Sequence, residues 1–238
     1  MQFMESKSPL DQILSRSDFK PFAGPRAFTI LKLAKSMLQI PPVEEKDVLK
    51  AVSSLSTLLE TEVAMIYAMQ DFICIKCGDC CRNRGSIRIS KQELKNIADY
   101  KKKSYKQIKV EIRAVPLGDG TLRVRQRCKF LVGNNCSIYS VRPATCQNYP
   151  ASEIIKNLAN GGGDDPCPID DQLLAEILVK RVFEERLFKE DPKEYKKMVE
   201  QRQRDLANFA NLSSHERLNR LASSYRKYLQ EEANPKNS

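Results

Sequence analysis

Four cysteines fall within eight residues of the stretch FICIKCGDCC: Cys74, Cys77, Cys80 and Cys81. Cys74, Cys77 and Cys80 repeat the C-x2-C spacing, in which the intervening turn aims successive thiolates at one point, as in ferredoxin-type runs. Gly78 gives that loop the backbone freedom to fold round an ion or cluster. Cys81 is expected to point elsewhere, because successive side chains diverge, and is then free to serve a second centre. The other four, Cys128, Cys136, Cys146 and Cys167, complete a set of eight that lies entirely within residues 74–167.

Eight thiols suffice for one or two four-sulfur sites. Four thiolates satisfy zinc in a closed structural site, and a [4Fe-4S] cluster also takes four cysteines. The cofactor expected is therefore zinc or iron, the latter including an iron–sulfur cluster. The one histidine, His215, is far from the cysteines in sequence, which disfavours mixed Cys/His fingers; near the start of a helix it reads as a solvated or capping residue. No Ser/His/Asp set or carboxylate pair stands out, so the catalytic residues, if any, are unknown from sequence.

The net charge of +10 is unevenly placed. From Arg82 to Lys129 there are 15 Lys/Arg against 4 Asp/Glu, a surplus of 11. Such a field lowers thiol pKa values and offsets the roughly two negative charges that each four-thiolate site carries. It also suits an acidic partner. The Lys101–Lys103 run, however, reads as a solvated stretch without an aromatic platform, so nucleic-acid binding through it is not favoured.

A chain of 238 residues can bury a core without covalent staples. Its start, MQFMESKSPLDQ, does not read as a secretory signal. Its most apolar stretch, Ala27–Ile40, is interrupted by Lys32 and Lys35 and is short of the roughly 20 apolar residues that span a bilayer. A cytoplasmic location with no membrane is expected, where clustered cysteines read as metal ligands or catalytic thiols rather than disulfides.

The elements that must position the thiols are short. Residues 1–26 read as irregular. Helical spacing of Ala27, Ile30, Leu31, Ala34 and Leu38 predicts a helix over 27–39 that Pro41 and Pro42 end. A second, over about 43–70, places Val48, Val52, Leu55, Leu59, Val63 and Ile66 on one face. SIRIS (Ser86–Ser90) alternates like a strand, and Ser90 with Glu93 forms a capping box for a helix over about 91–100. KKKSYK is a charged connection. VEIRAVPL and TLRVRQ flank Gly118-Asp119-Gly120 as a hairpin, and two short pieces surround Gly133-Asn134-Asn135. Ser140 and Pro143 suggest a helix start before Cys146, and Gly161–Pro168 is a loop holding Cys167.

Beyond it, Ile169, Leu173, Ile177 and Leu178 or Val182 describe a helix to about Glu190. Asp191-Pro192 starts another, and the Ser213/Glu216 box starts a last one with Leu218, Leu221, Tyr225 and Leu229 on its face. The fold class is α+β. A small cysteine-rich metal-binding domain of short strands and helices (71–168) is flanked by amphipathic helical segments (1–70 and 169–238). The outer helices are expected to offer a surface to a protein partner.

The stretch resembles the CxxCxxCC, or YkgJ-like, cysteine-cluster family, described as zinc- or iron-chelating. The likeness rests on FICIKCGDCC, SIRISKQEL, Cys128-Lys129-Phe130-Leu131, Cys136-Ser137-Ile138-Tyr139, Arg142-Pro143-Ala144-Thr145-Cys146 and Tyr149-Pro150, over roughly residues 72–168. It implies a metal-binding α+β domain whose cysteines ligate zinc, iron or an iron–sulfur cluster. Flagellin lysine N-methylases are similar in their cysteine cluster, which makes an iron–sulfur-dependent methyl-transfer or redox enzyme the alternative. A zinc-scaffolded basic adaptor for nucleic acid is a third reading.

Overall fold

The structure, a computed structural model, describes residues 7–16, 25–38, 44–125, 127–159 and 167–233. Along the chain the elements are α1 (Pro9–Leu14), α2 (Pro25–Met37), α3 (Glu45–Ser53), α4 (Glu60–Ile73), α5 (Asp79–Arg82), β1 (Ile87–Ile89), α6 (Lys91–Tyr100), α7 (Tyr105–Glu111), β2 (Val115–Pro116), β3 (Leu122–Val124), β4 (Leu131–Val132), β5 (Asn135–Cys136), α8 (Ala144–Gln147), α9 (Ala151–Ala159), α10 (Asp170–Glu190), α11 (Pro192–Ala207) and α12 (Ser214–Ala233). The chain divides into two compact units, one of residues 1–73 with 153–238 and one of Cys74–Ser152. The architecture is α+β, mostly helical with a few short antiparallel strands.

In the first unit α10 packs against α1, α2, α3, α4 and α11. Its apolar residues Leu173, Leu174, Ile177, Leu178 and Val182 are buried, as are Ile30 and Ala34 of α2. Helix α12 lies on α4, where Ala64, Leu221 and Ala222 form a core with Tyr67, Leu206, Phe209, Leu218 and Tyr225 around it. The starts read from sequence hold. Asp191 caps α11 by accepting from the Glu194 amide, and Ser213 and Glu216 exchange the reciprocal bonds of a capping box.

The single helix read over 43–70 is two helices. A 3-10 turn at Ser54–Ser56 separates α3 from α4, and a buried guanidinium explains the break. Arg181 reaches from α10 to Glu62 at 2.9 and 2.6 Å, to the Ser54 carbonyl at 2.6 Å and to the Thr57 carbonyl at 2.6 Å. The Ser54 carbonyl accepts the Thr57 amide at 3.1 Å, closing the 3-10 turn, and accepts from arginine as well. Burial opposes the charge on Glu62, but Arg181 overrides it and holds the carboxyl below its usual range. Helix α1, within the segment read as irregular, is capped by Ser8 with Pro9 in its first turn. The Pro41-Pro42 stop and residues 161–166 of the glycine loop lie outside the described residues, as does the side chain of His215.

In the second unit β1, β3 and β2 form an antiparallel sheet in that order, and β4 and β5 form a separate hairpin. One sheet face carries Ile89 and Leu122 into a core with Leu94, Ile97, Ile108, Ile112, Phe130 and Ile138. The Ser90/Glu93 capping box is present and starts α6. Residues 105–111, read as a connection and the start of a strand, form α7 instead. A second capping box, Ser104 with Gln107, starts it, and Ile108 turns into the core. Helices α6 and α7 both close with a non-glycine residue in the left-handed region, Lys102 (φ 52°) and Arg113 (φ 52°). The amides of Lys103 and Ala114 reach back to the Ala98 and Lys109 carbonyls, the Schellman pattern in which glycine is the usual residue.

Candidate metal centre

The first cysteine group sits on a loop closed by its own arginine. Lys76 (φ 51°) and Gly78 (φ 80°) take left-handed backbone, which turns the chain sharply into α5. A Cβ on Gly78 would meet the Arg82 guanidinium at 3.2 Å, so position 78 needs glycine for both its conformation and its packing. Arg82 donates to the Cys77 carbonyl at 2.8 Å, pairs with Asp79 at 3.3 Å and bonds the Asn134 side chain in the β4–β5 turn. The Cys128 amide donates to the Cys81 carbonyl at 3.2 Å. These bonds draw the segments of Cys128 and Cys136 toward the loop.

Cys146 is delivered by α8, which three tethers hold. Glu93, beyond capping α6 through the Ser90 amide at 2.6 Å, accepts the Ala144 amide at 2.7 Å. Thr145 Oγ1 donates to the Arg88 carbonyl of β1 at 2.7 Å, and Arg84 donates to the Thr145 carbonyl at 2.9 Å. Arg84 also lies over the Tyr149 ring at 4.3 Å, and Arg142 over the Tyr139 ring at 3.9 Å. Each tyrosine stands three residues after a cysteine, Cys146 and Cys136, and each ring seats a cation beside the thiols.

Cys80, Cys81 and Cys128 form a chain of sulfur hydrogen bonds with Cys81 in the middle. The expectation that Cys80 and Cys81 diverge is corrected: the adjacent thiols meet in a hydrogen bond at α5. The hydrogen bond from Cys81 lowers Cys80 to about 7 and Cys128 to about 6. Cys81 itself is pushed up, because its contacts with Cys128 and Cys80 favour its protonated form. Burial raises Cys136, and raises Cys146 to about 12. The charges of Cys128 and Cys80 raise both further, while Arg142 works against this at Cys136 and Arg84 at Cys146. Five of the eight candidate cysteines therefore share one electrostatic neighbourhood.

Cys74 and Cys77 are half-buried in the loop before α5 and make no such sulfur contact among the described residues. Cys167 belongs to the first unit, where its carbonyl accepts the Asp170 amide at 3.2 Å ahead of α10. None of the eight forms a disulfide. Among the described residues no three His, Cys, Asp or Glu side chains are set to enclose an ion. The donor set nevertheless fits zinc or iron: soft sulfur ligands, one or two already disposed to ionise near neutrality, with fixed cations beside them. Arg84, Tyr149 and Glu93 were not singled out from sequence as partners of the site. The capping box gave Glu93 a local role, but its bond to Ala144 spans 51 positions.

Residues 73–168 match the model of the CxxCxxCC family, described as a "Putative zinc- or iron-chelating domain". The match takes in all eight cysteines and leaves the helices on both sides outside it. Within that segment, the match and the eight cysteines support metal binding. No curated protein and no solved structure matches the chain. No helix among the described residues is long and apolar enough to cross a membrane.

Proposed function

We propose that the cysteine segment binds zinc or iron in one or two thiolate centres, with ligands drawn from Cys74, Cys77, Cys80, Cys81, Cys128, Cys136, Cys146 and Cys167. The observation that carries this reading is the Cys80–Cys81–Cys128 sulfur chain, with Cys136 and Cys146 in its field. Thiols that share a proton in the free protein become ligands when a cation displaces that proton. Arg84 and Arg142 hold positive charge against the sulfurs, and Glu93 and Thr145 fix the helix that presents Cys146. When bound, zinc supplies a closed structural cross-link and an iron–sulfur cluster supplies electron transfer. Free thiols in this number suit a reducing compartment such as the cytoplasm.

The test is elemental analysis and an absorbance spectrum of protein purified without oxygen. About one or two equivalents of zinc without visible absorption support the structural reading. Iron with a broad band near 400 nm supports a cluster. Protein that retains neither metal after purification and reconstitution overturns the proposal. Cys128→Ser should lower metal content sharply; full retention would remove Cys128 from the ligand set.

A further inference from the structure

We propose that the solvent-facing side of the β1–β3–β2 sheet binds the phosphate backbone of a nucleic acid, with Arg88 and Arg123 as its anchoring pair. This does not depend on the metal assignment. Antiparallel register places Arg88 directly opposite Arg123, with Val115 on the other side of Arg123 in the same row. The alternate residues Ile89 and Leu122 face the core, so this row faces out. The Arg88 side chain is 70% exposed and its carboxylate partner, Asp119, is about half exposed, at 48%. Arg123 has no such partner: its Nε is shut off from water and bonds nothing among the described residues.

Like charges directly opposite across a ladder repel. An anion between the two guanidiniums would relieve that repulsion, and the outer nitrogens of their planar forks match a phosphate. The surrounding charge points the same way. Cys74–Ser152 holds 17 Lys/Arg against 5 Asp/Glu, a surplus of 12. Two four-thiolate centres would consume only about four of these charges. From Gly120 to Ser152 there are five Lys/Arg and no Asp or Glu, and Arg125, Arg127 and Lys129, just beyond β3, are exposed. An acid-free run leading off an open sheet face suits a uniformly charged polymer. The Lys101–Lys103 run plays no part in this; the surface is built of arginines from two strands.

The experiment titrates the full chain, with its metal as purified, into labelled single-stranded RNA and duplex DNA of about 20 nucleotides, across about 50 to 200 mM salt. Expected are binding that weakens steeply with salt, and a loss of about tenfold for the Arg88→Gln/Arg123→Gln pair, whose salt slope falls by about two. Arg123→Lys, which keeps the charge, should retain most of the affinity. Lys193→Gln, an exposed charge on α11, should retain it all. No binding at the lowest salt overturns the proposal, as does a double variant that binds like the parent. A polyglutamate peptide that binds as tightly and loses as much with the double variant would also overturn it, assigning the face to an acidic protein.

Discussion

The two units differ in net charge and in the chemistry of the groups they gather. In the helical unit the buried arginine Arg181 finds its partners inside the protein, in Glu62, the Ser54 hydroxyl and the carbonyls of Ser54 and Thr57. That unit is close to neutral, with 23 Lys/Arg against 25 Asp/Glu. The cysteine unit gathers five thiols in one electrostatic neighbourhood and carries a surplus of 12 positive charges. Buried polar atoms without partners occur in both units, Ser56 Oγ and Thr61 Oγ1 in the helical one and Arg123 Nε in the cysteine one.

The largest test of this contrast is metal removal. Stripping the protein with a chelator under reducing conditions should abolish amide-exchange protection within Cys74–Ser152 and leave it in α4 and α10. Thiolate metal sites supply on the order of 10 kcal/mol to small domains. Equal loss in both units would end the distinction.

Next in size is the buried pair. Arg181→Met leaves Glu62 charged and buried, at a cost of about 3–5 kcal/mol in denaturant unfolding. Arg181→Met with Glu62→Leu should recover much of that loss; no recovery would mean that the freed Ser54 and Thr57 carbonyls dominate. The sign with pH follows from the depressed Glu62 carboxyl. Its contribution is complete above the unfolded value of about 4.3 and is lost as pH falls through the lower folded value. Glu62→Gln should therefore flatten the acid limb of the stability profile.

A smaller effect is expected at the stacked cations. Arg84→Gln should weaken metal affinity about tenfold in chelator competition, with Arg84→Lys nearer the parent. If both variants fall equally, Arg84 acts through its stack on Tyr149 and its bond to Thr145 rather than through its charge. Smallest are the left-handed helix ends. Lys102→Gly and Arg113→Gly should each stabilise the cysteine unit by about 0.5–1 kcal/mol, seen as a shift in its melting midpoint.

What could be read from sequence was what neighbours decide. The Ser90/Glu93 and Ser213/Glu216 boxes, the Asp191-Pro192 start and the Gly118-Asp119-Gly120 turn are local, and each is where it was expected. Helix α7 was missed although its own box, Ser104 with Gln107, is equally local; alternating apolar residues in VEIR suggested a strand. The break between α3 and α4 was not readable, because the arginine that causes it lies 127 positions from Ser54. At the site, the cysteine types and spacings announced metal chemistry. The meeting of Cys80 with Cys81, and the seating of Arg84 on Tyr149, depend on a left-handed turn and a contact across 65 positions that spacing does not encode.

The carboxylate of Glu93 works as a joint. One of its oxygens completes the first turn of α6 and the other fixes the first amide of α8. A change at this one side chain would therefore loosen two helix starts at once, and with the second of them the seat of Cys146.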